Sequence, residues 1–264
     1  MDLQLKGKTA FISGSTSGIG YAIARSFLTE GIEVYINGRT SESVAAAISK
    51  LLKEVPGAKV KGIEADFANA SQVEQLIKNL PSVDILVNNV GIYESKSFFE
   101  TSDEDWYAQF EVNVMSGVRL SKQLLKPMLA KNWGRILFIS SECAALVPTD
   151  MIAYSMTKTA ILSIARGLAQ LTKGSSVTVN TVLPGSTRSE GAERFLAEAA
   201  EKQKKTAATI EEEFFTQVRT SSLLQRFASV DEVAHTITYY ASPLASATNG
   251  ATITVEGGST TGIY

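Results

Sequence analysis

Thr9-Ala-Phe-Ile-Ser13 leads directly into Gly14-Ser-Thr-Ser-Gly18-Ile-Gly20, which is followed by Tyr21-Ala-Ile-Ala-Arg-Ser-Phe27. The opening run reads as a buried strand and the closing run has helical apolar spacing, so the glycines mark the turn between them. Glycines at such a junction let the backbone turn tightly and approach a bound group. The N-terminus of the following helix adds unpaired N–H groups and a partial positive charge. Together they predict a pyrophosphate cradle at the carboxyl end of a first parallel strand. A glycine cluster alone is a weak signal, and its place between strand and helix near the chain start is what raises it. The spacing, Gly-x-x-x-Gly-x-Gly, differs from the commoner dinucleotide fingerprint.

The same rhythm continues outward. Thr9–Ser13, Glu33–Asn37, Lys59–Ala65, Asp84–Asn88, Arg135–Ser140, Val177–Val182 and Ala251–Val255 read as strands. Their apolar runs are nearly continuous instead of alternating, as expected of strands covered on both faces. Gly18–Thr29, Ser41–Lys53, Ser71–Asn79, Asp103–Ala130, Met151–Leu171 and Val230–Ala241 carry helical periodicity. The pattern predicts an α/β fold, a doubly wound parallel sheet of about seven strands. With no internal repeat, low-complexity tract or Pro/Gly-rich linker, residues 1–264 read as a single domain. About forty residues, 190–229, break the rhythm with a segment rich in Ala, Glu, Lys and Gln. An insertion after a strand's carboxyl end sits where such sheets bind ligands, so a helical lid is expected over a passive surface excursion.

Composition excludes several classes. The 25 basic and 27 acidic residues leave a net charge of −2, so no basic field favours nucleic acid or a membrane surface. Met1–Lys8 carries no signal-peptide core and no apolar run has spanning length, which reads as cytoplasmic. The one cysteine, Cys143, cannot form an internal disulfide, and is expected to be a small buried residue, although it could line a pocket. The one histidine, His235, provides neither a metal cluster nor the base of a histidine triad, and reads as an incidental helix residue.

Two further stretches carry chemistry. Where a ribose 2′-OH would be met by an acid, the second strand ends in Ile36-Asn-Gly38-Arg39-Thr40, without Asp or Glu. Gly38 leaves room and Arg39 offers a guanidinium fork to a 2′-phosphate, which favours NADP(H) over NAD(H); the other reading is a solvent-facing arginine in a turn. Farther on, Tyr154 and Lys158 stand four apart, on one face of a helix. A cation beside a phenol lowers its pKa from about 10 by roughly 1–3 units and makes the phenol a better acid.

The Gly14–Gly20 cluster, Asn88-Asn89-Val90-Gly91, Asn113, Ser141, Tyr154-x-x-x-Lys158 and Pro184-Gly185 resemble, in order and spacing, the classical short-chain dehydrogenase/reductase family over nearly the whole chain. The resemblance implies a Rossmann-like fold and the catalytic set Asn113, Ser141, Tyr154 and Lys158. Ser141 is chosen over Ser140 because it lies thirteen residues before the tyrosine. Ser141 would hydrogen-bond the carbonyl oxygen, Tyr154 would protonate it, Lys158 would hold the nicotinamide ribose, and Asn113 would brace a water. The implied cofactor contacts are Gly14, Ser17, Gly18, Ile19, Gly20, Arg39, Asp66 at the adenine, Asn88 at the central sheet and adenosine side, Gly91, Tyr154, Lys158, Pro184, Gly185 and Thr187.

Three departures stand out. Ser189 falls where the family usually carries the threonine that meets the nicotinamide carboxamide, with Thr187 two residues sooner. The loop 142–153 lacks a glycine often found there and reads Ala144-Ala-Leu-Val-Pro148, an apolar substrate wall. Arg188 could meet a substrate carboxylate or cofactor phosphate, or be a surface residue. The resemblance implies an NADPH-dependent oxidoreductase interconverting a ketone and a secondary alcohol, a carbonyl reductase acting on a small molecule. A 3-oxoacyl-acyl carrier protein reductase label would suit the family, but no basic patch awaits an acidic carrier. The alternative is an NADP-binding sensor or structural protein without turnover. Asn249–Gly258 resembles the family's tail across a two-fold axis, which implies a homotetramer or homodimer.

Overall fold

The computed structural model describes residues 1–262. Seven parallel strands form one sheet: β1 (Thr9–Ile12), β2 (Glu33–Gly38), β3 (Val60–Glu64), β4 (Ile85–Asn88), β5 (Gly134–Ile139), β6 (Val177–Pro184) and a last strand, β9 (Thr252–Val255). Their order is β3-β2-β1-β4-β5-β6-β9. Every residue of β4, β5 and β6 is buried, which explains their unbroken apolar runs. Alternate residues serve opposite faces: Ala10 and Ile12 join a core with Ile23, Phe27, Leu51 and Ile237, whereas Phe11 joins one with Leu76, Leu124 and Ile161.

The first of those cores lies under α1 (Gly18–Thr29), α2 (Ser41–Glu54) and the last long helix, α10 (Val230–Ala241). The second lies under α3 (Ala70–Asn79), α5 (Ser116–Ala130) and α7 (Ile152–Leu171). The single helix expected over 103–130 is in fact α4 (Asp103–Phe110), a π turn at Glu111–Met115, and α5. One extra residue per turn leaves apolar spacing readable but shifts the faces, and such bulges concentrate at functional sites. A four-residue helix, α6 (Cys143–Leu146), follows β5. It ends at Val147 with φ +44°, a left-handed backbone that a β-branched residue tolerates poorly, where a glycine would be unstrained.

The insertion is helical: α8 (Glu190–Gln203), α9 (Ala207–Glu213) and a π turn at Phe214–Val218. Two short paired strands, β7 (Thr187–Arg188) and β8 (Ala228–Ser229), join its ends. It has a small core of its own, Leu196, Ile210, Phe215 and Phe227, with Phe214 stacked on Phe227 at 5.3 Å. Among the described residues, no helix is long and apolar enough to cross a membrane. Sheet order reverses between β1 and β4, and their carboxyl ends open the crevice where such folds bind ligands.

Candidate active site

The turn after β1 needs its glycines. Gly14 and Gly18 take φ of +60° and +57°, and a Cβ on Gly20 would lie 2.4 Å from the Gly14 carbonyl oxygen. Polar residues at the strand ends hold the turn in place. The Gly14 N–H donates to Asn37 Oδ1 at 2.9 Å, and the Asn89 amide donates to the carbonyls of Ser13 and Gly14 at 3.0 and 2.7 Å. Ser13 Oγ accepts from the N–H groups of Asn89 and Val90. Asn37 and Asn89 were not singled out as site residues from sequence, although a buried asparagine ending an apolar run is a readable signal. Ser17, the N-cap of α1, makes no side-chain cap, and the Gly18 N–H instead donates to Glu190 Oε2 at 2.8 Å. A carboxylate therefore already sits against the donors that would meet a pyrophosphate, so this turn fits an anion.

Around that cradle, Arg39 follows β2 and is exposed. The room left by Gly38 is taken by Thr16, whose methyl would lie 2.5 Å from a Cβ there. Asp66, beyond β3, accepts from the Ala68 N–H at 3.0 Å. Asn88 points between β4 and α5, donating to Ser121 Oγ at 3.1 Å, while it is Asn89 that faces the glycine turn.

At the other end, the two serines after β5 separate. Ser140 Oγ donates to the Lys158 carbonyl at 2.8 Å and is buried against α7, whereas Ser141 lines the cavity and its Oγ accepts from the Cys143 N–H. Tyr154 and Lys158, one turn apart on α7, line the same cavity, with the ammonium 5.5 Å from the phenol ring centre. Lys158 is 3% exposed and donates to the Ile139 carbonyl at 3.0 Å.

The expected lowering of the tyrosine pKa does not appear in this arrangement. Burial pushes the Tyr154 phenol well above its ordinary range while the Ser141 hydroxyl pulls it the other way. Burial also brings the Lys158 ammonium down to about 8, which weakens the cation that was to act on the phenol. Asn113 sits in the π turn, 3% exposed. Its Oδ1 accepts from the Ile92 N–H at 2.7 Å, and its Nδ2 donates to the Ile92 carbonyl and to Thr157 Oγ1. It thereby ties the loop after β4 to the tyrosine-bearing helix. Gly91 lies between them, where a Cβ would be 3.2 Å from Lys158 Nζ.

These residues share a cavity of about 560 Å³. It gathers Ile19, Gly91, Pro184, Gly185 and Thr187 with Ser141, Tyr154 and Lys158, and excludes Arg39 and Asp66. Of the apolar wall expected at Ala144–Pro148, Pro148 alone lines the cavity, together with Met151, and Phe195, Phe214 and Phe227 bring the insertion over it. Thr187 Oγ1 donates to the Gly185 carbonyl, while Ser189 Oγ caps α8, so both hydroxyls have local partners. Arg188 is a surface residue, paired with Glu193 at 3.0 Å and with Glu211. Cys143 is buried and also lines the cavity, and His235 is exposed on α10. Among the described residues, no group of three or more His, Cys, Asp or Glu could hold a metal ion.

Glu142 and Arg219, which the sequence reading missed, form a partly buried ion pair in the cavity wall at 2.9 Å, with the carboxylate buried and the guanidinium half-buried. They are 77 residues apart, so no local pattern announces them.

The chain as a whole is similar to known proteins. The chain is 47% identical over 262 residues to the uncharacterized oxidoreductase YvrD of Bacillus subtilis (strain 168), covering 98% of each chain. It is 30% identical to the 3-oxoacyl-[acyl-carrier-protein] reductase FabG of Aquifex aeolicus (strain VF5), covering 98% of this chain and 99% of that one. The crystal structure of L-sorbose reductase from Gluconobacter frateurii complexed with NADPH and L-sorbose superposes with a TM-score of 0.91 at 28% identity over the whole of both chains. The family model for short chain dehydrogenases matches residues 8–200, and the chain belongs to that family.

Proposed function

We propose that the protein is an NADPH-dependent oxidoreductase that interconverts a ketone and a secondary alcohol, with Tyr154 as the proton donor. The observation that carries this reading is the convergence of Ser141, Tyr154 and Lys158 on one cavity that also reaches Ile19, beside the glycine turn. The L-sorbose reductase neighbour was solved with NADPH and the FabG relative is a reductase by name, which supports the cofactor and the reaction class. NADPH, when bound, would supply the hydride for the carbonyl carbon.

The chain's own residues do the rest. The backbone N–H of Gly18 and the N-terminal end of α1 bind the pyrophosphate in place of the Glu190 carboxylate. Ser141 Oγ donates to the carbonyl oxygen and fixes its position. The Tyr154 phenol, kept protonated through the neutral range by burial, transfers its proton to that oxygen as negative charge develops. Lys158 is held under the tyrosine by the Ile139 carbonyl and would meet the ribose hydroxyls of a bound cofactor. Asn113 acts as a positioning residue through Ile92 and Thr157. Residues 190–229 act as the lid, closing aromatic side chains over the substrate and excluding water. Assignment as a homotetramer or homodimer rests on the resemblance of Asn249–Gly258 alone, and the cytoplasmic reading on the polar N-terminal segment Met1–Lys8 and the lack of an apolar run of spanning length.

Arg39 gives the cofactor preference. It is exposed and free to swing onto a 2′-phosphate, a contact worth about 1.5–3 kcal/mol when charge-assisted. Arg39→Ala is expected to raise the KM for NADPH by roughly 10- to 100-fold and leave that for NADH within about twofold. Equal changes for both, in initial-rate measurements, contradict the assignment.

A further inference from the structure

We infer that Glu142 and Arg219 recognise a hydroxyl group of the substrate, so that the enzyme takes a neutral, hydroxyl-bearing ketone in preference to a hydrocarbon ketone. This rests on the carbonyl reductase reading and deepens it. Glu142 follows Ser141 directly, and its N–H donates to the Pro184 carbonyl at 2.9 Å, which fixes it on the rim of β5 and β6. The residue is 3% exposed. Oε1 accepts from Arg219 Nε at 2.9 Å and from Ser186 Oγ at 3.2 Å, but Oε2 has no hydrogen-bond partner among the described residues. Gly185 keeps side-chain atoms away from that oxygen, since a Cβ there would lie 2.9 Å from it and 2.6 Å from the Glu256 Cα.

Arg219 is also only partly used. Its Nε is committed to Glu142 and its guanidinium also meets the Cys143 thiol, yet no oxygen of the described residues is hydrogen-bonded to Nη1 or Nη2. It follows the π turn of the insertion, its guanidinium 5.7 Å from the Phe214 ring centre, and it lines the cavity with Glu142. An ion pair with its carboxylate buried is poor evidence of stabilisation, because well-packed apolar residues often serve as well or better. An unmatched carboxylate oxygen beside the catalytic serine is still less favourable.

The pair makes chemical sense once a ligand supplies what is missing. A hydroxyl donates one hydrogen bond and accepts others, so it satisfies Glu142 Oε2 and an Arg219 Nη together. An alkyl group in the same place would leave both polar groups unmatched, which is how polar sites reject apolar analogues strongly. A substrate carboxylate would face Glu142, so the match is to a neutral group. The insertion therefore supplies specificity as well as cover.

Erythrulose and 2-butanone share a carbon skeleton and differ only in hydroxyls, which makes them the test. With NADPH, the wild-type protein is expected to show kcat/KM at least ~100-fold higher for erythrulose. Calorimetry in the presence of NADP+ is expected to show erythrulose binding alone. Arg219→Met and Glu142→Gln should each shrink the preference to less than about tenfold. Equal or reversed preference in the wild type, or an unchanged ratio in both variants, overturns the inference and leaves the reductase reading standing. Should neither ketone be turned over, binding decides the inference, and the reductase reading is decided separately by turnover of other carbonyl compounds. Selective erythrulose binding that is lost in the variants supports it, and no discrimination overturns it. If a variant does not fold, the wild-type comparison decides.

Discussion

Tyr154→Phe is expected to lower kcat for carbonyl reduction by ~10³-fold, within the range for loss of a positioned general acid, while leaving the Kd for NADPH within about twofold. The substitution removes one oxygen and keeps the ring. The edge contact with Tyr93 at 6.0 Å and the position over Lys158 at 5.5 Å survive, so the cavity retains its shape. What disappears is the proton itself and the hydroxyl beside Ser141. Stopped-flow or steady-state NADPH oxidation gives the rate, and fluorescence titration gives the affinity. A variant that keeps most of its kcat assigns the proton elsewhere. A wild-type protein that binds NADPH tightly and turns over no carbonyl would instead be the sensor.

Gly20→Ala is the second large effect, and it acts through backbone. The added methyl would lie 2.4 Å from the Gly14 carbonyl oxygen, 2.6 Å from Asn89 Nδ2 and 2.9 Å from Ser15 Cα. Two of these are main-chain atoms held in place by hydrogen bonds, and cannot rotate away. Relief requires the turn to open and the bonds from Asn89 to Ser13 and Gly14 to break. Overpacking of this kind costs about 1–3 kcal/mol or more, so a Tm lower by roughly 5 °C is expected. The Kd for NADPH should rise by about 100-fold, because the displaced N–H groups no longer converge. Gly167→Ala, in α7 with nothing within 4 Å of its would-be Cβ, is the control. It should be neutral or stabilising by up to about 1 kcal/mol. Matching losses in both variants would show that the turn has no special steric demand.

Much of the fold was legible because burial on both faces writes itself as unbroken apolar runs. All seven strands occur where those runs predict them, and α1 and α10 have the expected bounds. The π turn at 111–115 was not legible, since one additional residue in a turn leaves Val112 and Val114 buried and the apolar pattern intact. The site was half legible. Residues whose role depends on local backbone, such as Gly14, Gly18 and Gly20, were identified from spacing. So was the pair Tyr154 and Lys158, but its electrostatics depend on tertiary burial and on the Ile139 carbonyl, neither of which spacing reveals. Ser140 and Ser141 are chemically alike and differ only in which side of β5 they leave. The sequence drew attention to Arg188, which pairs on the surface, while the arginine in the cavity is Arg219, whose partner is distant in the chain.

The central claim is that this cavity delivers a hydride and a proton across one carbonyl group. Supplying NADPH doubly deuterated at the nicotinamide C4, with a turned-over ketone in ordinary water, tests it by mass spectrometry and proton NMR of the product. The account predicts one deuterium on the carbinol carbon of the alcohol, and a hydroxyl proton that exchanges with solvent. Alcohol formed without the label, or NADPH consumed without any alcohol, would contradict it.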